Sequence, residues 1–204
     1  MKIIGLTGGV ASGKNFVAEI FAQKGAVIFD ADKEVHRLLD SDKSTISKVK
    51  KIFPESFIKE EIDRKILGKI VFADEKKLKI LERIIHPQVR KNYQKFLQDC
   101  RKKKTNLVVL NIPLLLETKG YKYDYVVAII APKYLCKERF LNRERKKDLC
   151  QKISDLEKKF KQIISNQLPD VKRITESDFV LYNNQRLSKL SFSKKVDQII
   201  QKII

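Results

Sequence analysis

The sequence is poor in the residues that build metal centres and disulfide-braced folds. Its 204 residues hold three cysteines, two histidines, one methionine and no tryptophan. Cys100, Cys136 and Cys150 form no C-x-x-C pair, and an odd count cannot close a complete disulfide framework. They read as small apolar helix residues in a reducing compartment. With so few histidines and no metal-ligand spacing, a structural zinc site is not expected. Long apolar runs are missing too. The longest, residues 107–116, is broken by Asn111 and Pro113 and is far short of the roughly 20 residues that cross a bilayer. The opening Met1–Leu6 stretch runs into glycines and then Lys14, unlike a signal peptide. The chain is therefore expected to be soluble and cytoplasmic. There is no Pro/Gly/Ser linker and no internal repeat, so a single domain with mobile lobes is expected.

What is abundant is positive charge: 44 Lys and Arg against 25 Asp and Glu, a net +19. That balance favours anionic partners. The lysines are scattered, however, and over-use of Lys, Ile and Asn accounts for much of the excess as composition. Nucleic-acid binding needs a clustered basic stripe or stacking aromatics, and the lysines along the sequence are dispersed. Neither nucleic acid nor membrane is an expected partner.

The hydrophobic pattern alternates between strand and helix. "KIIGLT" (2–7) is an apolar run that stops at a glycine pair, and Val17, Ile20 and Phe21 follow at helical spacing. "AVIFD" (26–30) reads as a second buried strand, leading to a helix with Val35, Leu38 and Leu39. From Ser44 to about Lys104 the period is helical and charged, with a break expected at "HP" (86–87). Aliphatic runs at 106–117 and 123–132 suit strands covered on both faces of a parallel sheet. Residues 133–167 read as charged helix with little burial, 178–183 as a last strand and 186–204 as a closing helix. The expected class is α/β, with ligands beyond the carboxyl ends of the strands.

One segment carries chemistry. Gly8 to Asn15, "GGVASGKN", match G-x-x-x-x-G-K-[ST] at every position but the last, between a buried strand and an amphipathic helix. Glycines allow successive N–H groups to wrap a phosphate, the helix adds its positive end, and Lys14 reaches the outer phosphates. Asn15 stands where a hydroxyl normally meets Mg²⁺; its amide oxygen is still a hard neutral donor. Triphosphate binding is expected to survive, with Mg²⁺ affinity weakened by about 1 kcal/mol, the worth of one ordinary hydrogen bond. Asp30 and Asp32 follow the second strand, which the pattern places beside the phosphate loop at the same sheet edge. A carboxylate there could hold Mg²⁺, accept a hydroxyl proton or cap the next helix.

The segments "IGLTGGVASGKN", "GAVIFDADKEVHRLL", "LERIIHPQVR", "IPLLLE", "ERFLNRER", "ISNQLP" and "DFVLYNN" together resemble the dephospho-coenzyme A kinases, over nearly the whole chain. That resemblance implies a three-layer P-loop kinase fold with a parallel sheet: a core at about 1–43, 105–135 and 168–204, a helical acceptor-binding insert at about 44–104, and a helical lid at about 136–167. It implies ATP as co-substrate with Mg²⁺, and dephospho-coenzyme A as acceptor of a 3′-phosphate. By position it implies ATP binding by Gly9, Val10, Ala11, Ser12, Gly13, Lys14, Asn15, Phe16 and Asn183. Asp32 becomes the base, His86 and Leu115 join Asp32 in acceptor binding, and Arg139 and Arg143, one turn apart, become lid arginines acting with Lys14. Asn15 would be a weak Mg²⁺ ligand. The chain departs from the family at Asn15, at Ala11 (usually Gly), at Asn111 (often Asp) and in a lengthened lid. A nucleoside monophosphate kinase is the nearest alternative; no N-K-x-D guanine motif supports a GTPase.

Overall fold

The computed structural model describes residues 1–118, 120–184 and 189–204. Contacts gather the chain into two units, Met1–Phe29 with Cys100–Ile204, and Asp30–Asp99.

The first unit is built on a five-stranded sheet. Its strands are β1 (Lys2–Gly8), β2 (Val27–Asp30), β5 (Leu107–Asn111), β6 (Tyr125–Ile130) and β7 (Phe179–Tyr182), in the order β2-β5-β1-β6-β7. β1 pairs in parallel with both β5 and β6, and β6 with β7. Every residue of β5 is buried, as its unbroken apolar run requires of a strand covered on both faces. One face of the sheet presents Ile4, Leu6, Val109, Val127, Ile129 and Leu181 to α1 (Lys14–Gln23) and α9 (Lys189–Ile203), which return Val17, Phe21, Val196 and Ile199. Each such aliphatic side chain contributes about 1.5–3 kcal/mol by leaving water. β2 lies at the sheet edge, with β5 between it and β1. The strand beside β1 on that side is β5, which ends in Asn111.

The remaining helices of this unit are α6 (Lys133–Lys147), α7 (Ile153–Ser165) and the short α8 (Asp170–Thr175). Residues 133–167 were expected to be little buried, yet Leu135, Cys136, Phe140, Leu156 and Phe160 are buried. Phe140 and Phe160 meet with ring centroids 5.4 Å apart. The lysine-rich outer faces hid this stripe, because four or five apolar positions among so many charges give only a weak periodic signal.

The second unit is mostly helical. Asp30 caps α2 (Ala31–Ser41), its carboxylate accepting the Lys33 N–H at 3.0 Å. Asp42 and Asp63 cap α3 (Lys43–Ile52) and α4 (Arg64–Phe72) in the same way. Between them β3 (Phe57–Ile58) and β4 (Glu61–Ile62) form an antiparallel hairpin where the sequence suggested only helix. Its turn residues Lys59 and Glu60 have φ of 50° and 66°, with none of the usual Gly or Asn to signal them. α5 (Glu75–Lys102) runs straight through Pro87, so the expected break at His86–Pro87 does not occur. Leu81, Ile85, Val89, Tyr93 and Leu97 recur every fourth residue and are all buried. That stripe outweighs the roughly 3 kcal/mol a proline costs inside a helix. Pro87 itself is exposed, where water can take the carbonyl that loses its partner.

Candidate active site

The phosphate loop sits between the end of β1 and α1, and its shape is dictated by residues that cannot be larger. A Cβ on Gly8 would lie 2.6 Å from Ser12 Oγ and 2.7 Å from the Ile129 carbonyl. Gly13, the residue before α1, has φ of 104°, and a Cβ there would collide with the Asn183 amide. Ala11 also takes a left-handed conformation, φ 56°, the region that favours glycine. Among the described residues no side chain caps α1 and no acid lies in its first turn. Its leading N–H groups and positive helix end therefore favour an anion. Lys14 Nζ donates to the Gly8 carbonyl at 2.9 Å, which folds the ammonium back over the loop.

Asn183, just past β7, is a second anchor. Its Nδ2 donates to the Ser12 carbonyl at 2.7 Å and its Oδ1 accepts from Arg139 at 3.3 Å. The structure thus brings Lys14, Ser12, Asn183 and Arg139 together. Arg143, one turn further along α6, is exposed; it donates to Glu144 at 3.3 Å and lies 5.5 Å from the Phe140 ring centroid. Val10, Ala11 and Leu141 pack onto the buried group formed by Cys136, Phe140 and Phe160, so α6 and α7 rest directly on the loop. Burial pushes the Cys136 thiol up, which keeps it a neutral wall rather than a nucleophile. Phe16 stacks edge-on against Phe192 and belongs to the core. Leu115 is buried at 1 % exposure and occupies the space a Cβ on Gly5 would need.

Asn15, the residue in the hydroxyl position, is hydrogen-bonded to Asn111 at the end of β5. Asn111 Nδ2 donates to Asn15 Oδ1 at 2.9 Å. Both side chains are neutral amides, and among the described residues no cluster of three or more His, Cys, Asp or Glu could cage a metal. The Asn15 amide oxygen is a hard neutral donor, which fits Mg²⁺.

Three residues given no role by the sequence stand under the loop. Arg173 of α8 is only 1 % exposed; its Nε donates to Thr7 Oγ1 at 3.1 Å, Nη1 to Asp170 at 3.0 Å and Nη2 to Glu117 at 3.3 Å. Glu117 also accepts the Leu168 N–H at 2.9 Å, and Gln167 Oε1 accepts the Val10 N–H at 3.0 Å. Gly9, Val10, Cys136, Gln167 and Arg173 line a cavity of about 340 Å³. Glu117 and Gln167 fall in "IPLLLE" and "ISNQLP", a usable signal; nothing in sequence singled out Arg173.

Asp32 and His86 belong to the second unit. Asp32 is exposed in the first turn of α2. His86 is exposed on α5, where Lys79, Arg83, His86 and Arg90 line an open pocket of about 330 Å³ with Glu82 and Pro87.

The CoaE dephospho-CoA kinase family model matches residues 2–189. A dephospho-CoA kinase of Bartonella henselae is 43% identical over 182 residues, covering 89% of this chain and 88% of the relative. Among solved structures, one from Thermus thermophilus is 26% identical with a TM-score of 0.78, covering 100% of this chain and 98% of the other. Another, titled a dephospho-CoA kinase from Campylobacter jejuni, is 26% identical with a TM-score of 0.63, covering 99% and 97%. A phosphate loop shaped by Gly8 and Gly13, on a sheet whose counterpart recurs in those structures, accords with the match of nearly the whole chain: the chain belongs to the dephospho-CoA kinase family.

Proposed function

We propose that this chain transfers the γ-phosphoryl group of ATP to the 3′-hydroxyl of dephospho-coenzyme A in the cytoplasm, giving coenzyme A and ADP. The observation that carries the reading is the anion-ready start of α1, with Lys14 held above it. Two buried polar atoms at the loop agree: Ser12 Oγ and Arg139 Nη1 have no hydrogen-bond partner among the described residues, and phosphate oxygens would satisfy both.

In this reading the loop amides from Gly9 to Phe16 and Lys14 grip the triphosphate. Asn183 fixes the loop against α6, and Arg139 with Arg143 neutralises charge as the γ-phosphoryl leaves ATP. Asp32 accepts the proton of the 3′-hydroxyl as its oxygen attacks phosphorus and the bond to the ADP oxygen breaks. The basic stripe around His86 suits the diphosphate of the acceptor. Asn15 would hold Mg²⁺, which lessens the charge of the transferring phosphates. The α6–α7 pair acts as lid, keeping water from competing as acceptor.

Supplying ATP, Mg²⁺ and one acceptor at a time tests the assignment. ADP release should require dephospho-coenzyme A and should not be supported by nucleoside monophosphates; the opposite preference would overturn it. Asp32→Asn should lower turnover by about 10²–10⁴-fold with ATP affinity unchanged, the range for a lost general base. Near-normal turnover would remove Asp32 from that role.

A further inference from the structure

Asn15, in the hydroxyl position of the phosphate-loop pattern, and Asn111, at the end of the neighbouring strand, touch. In the usual phosphate loop a Ser or Thr hydroxyl meets Mg²⁺ and a strand-end Asp supports it. There the hydroxyl can donate its hydrogen while the carboxylate accepts. Here the polarity is reversed: Asn111 Nδ2 donates and Asn15 Oδ1 accepts, at 2.9 Å. An aspartate at 111 would turn the Asn15 amide over, Nδ2 toward the carboxylate and Oδ1 away, so the amide oxygen keeps this place only with a donor at 111. Asn111 is 4 % exposed at the end of a fully buried strand, whereas Asn15 is exposed on the first turn of α1. The rigid partner is therefore the strand residue. An amide oxygen has two lone pairs; with one fixed by Asn111, the other is held in a set direction for a cation.

We infer that Asn111 is a positioning residue for the nucleotide-bound cation, acting through Asn15. The pair is one unit, a neutral substitute for hydroxyl and carboxylate, and neither member holds the cation as well alone. This rests on the kinase reading of the loop.

The test is calorimetric titration of ATP with and without Mg²⁺ into wild type, Asn111→Leu, Asn15→Ala and the double variant, each checked for folding by its melting curve. The readout is the factor by which Mg²⁺ tightens ATP binding. Asn111→Leu should cut that factor about fivefold, the worth of one positioned hydrogen bond, while metal-free ATP binding stays as in wild type. In the Asn15→Ala background the same change should alter the factor by less than about twofold. An equal loss in both backgrounds, or none in either, overturns the inference. If Asn111→Leu does not fold, Asn111→Asp replaces it: it should raise the factor beside Asn15→Ser and not beside Asn15, and an equal rise in both overturns the inference. Wild type that binds no ATP with or without Mg²⁺ would instead overturn the kinase reading beneath it.

Discussion

The phosphate loop and the α6–α7 pair pack against each other but are held by opposite means. The loop is fixed by backbone conformation and buried partners: Gly13 at φ 104°, Asn183 on the Ser12 carbonyl, and Arg173 beneath Thr7 at 1 % exposure. The helix pair is fixed by a small apolar seam plus charge. Glu144 of α6 takes hydrogen bonds from Lys147 at 2.9 Å and from Lys159 of α7 at 2.8 Å, and Lys137 pairs with Glu157 at 2.7 Å across the same seam. Burial alone would push the Glu144 carboxyl up; the hydrogen bonds and charges of Lys159 and Lys147 outweigh it and hold the group at about 2. The loop is built on backbone conformation and on a buried guanidinium whose charged partners, Glu117 and Asp170, lie nearer the surface. The α6–α7 pair, the lid of the proposed reading, is held by contacts that water and ions can replace.

The contrast can be broken most strongly at Arg173. Arg173→Met leaves Glu117 without its buried cation and should cost about 3–5 kcal/mol, the range for removing one partner of a buried pair. Urea unfolding would read this as a large drop in midpoint. A change below about 1 kcal/mol would make the network under the loop no firmer than a surface ion pair.

A smaller effect is expected in the helix pair. Glu144→Gln should cost about 2–3 kcal/mol at neutral pH, the scale of a carboxyl held this far below its ordinary value. Because the folded-state pKa lies below the ordinary 4.5, this stability is fully present above pH 4.5 and is lost as pH falls through about 2. The difference between wild type and variant should close over that window; a gap that stays constant down to pH 2 would contradict the ionic account.

The smallest effect sharpens the comparison rather than breaking it. Ala11→Gly relieves a left-handed alanine, worth about 1 kcal/mol, but adds nearly as much unfolded-state freedom. Stability should move by less than about 0.5 kcal/mol, measured by denaturant titration. A larger loss would mean that the methyl group, packed on the Cys136–Phe140–Phe160 group, matters more than the backbone.

The same division explains what was legible in the sequence. Gly8, Gly13 and Lys14 announce the loop because backbone geometry admits few residue types, and continuous apolar runs announce β1, β5 and β6. Strand order is not written locally, so the hydrogen bond that β5 brings about between Asn111 and Asn15 is not legible in the sequence. Pro87 misled because a break is read from one residue, whereas the helix is kept by five buried residues at fourfold spacing. Gln167 and Arg173 act across more than 150 residues of chain, as in Gln167 to Val10 and Arg173 to Thr7, and periodicity carries no trace of such pairs.

Calorimetric titration of ATP into folded wild type and Lys14→Met, with Mg²⁺ in excess, tests the central claim most directly. The account predicts one ATP per chain for wild type and at least about tenfold weaker binding for the variant, a loss of about 1.4 kcal/mol. No heat of binding from folded wild type, or equal affinity in both proteins, would contradict it.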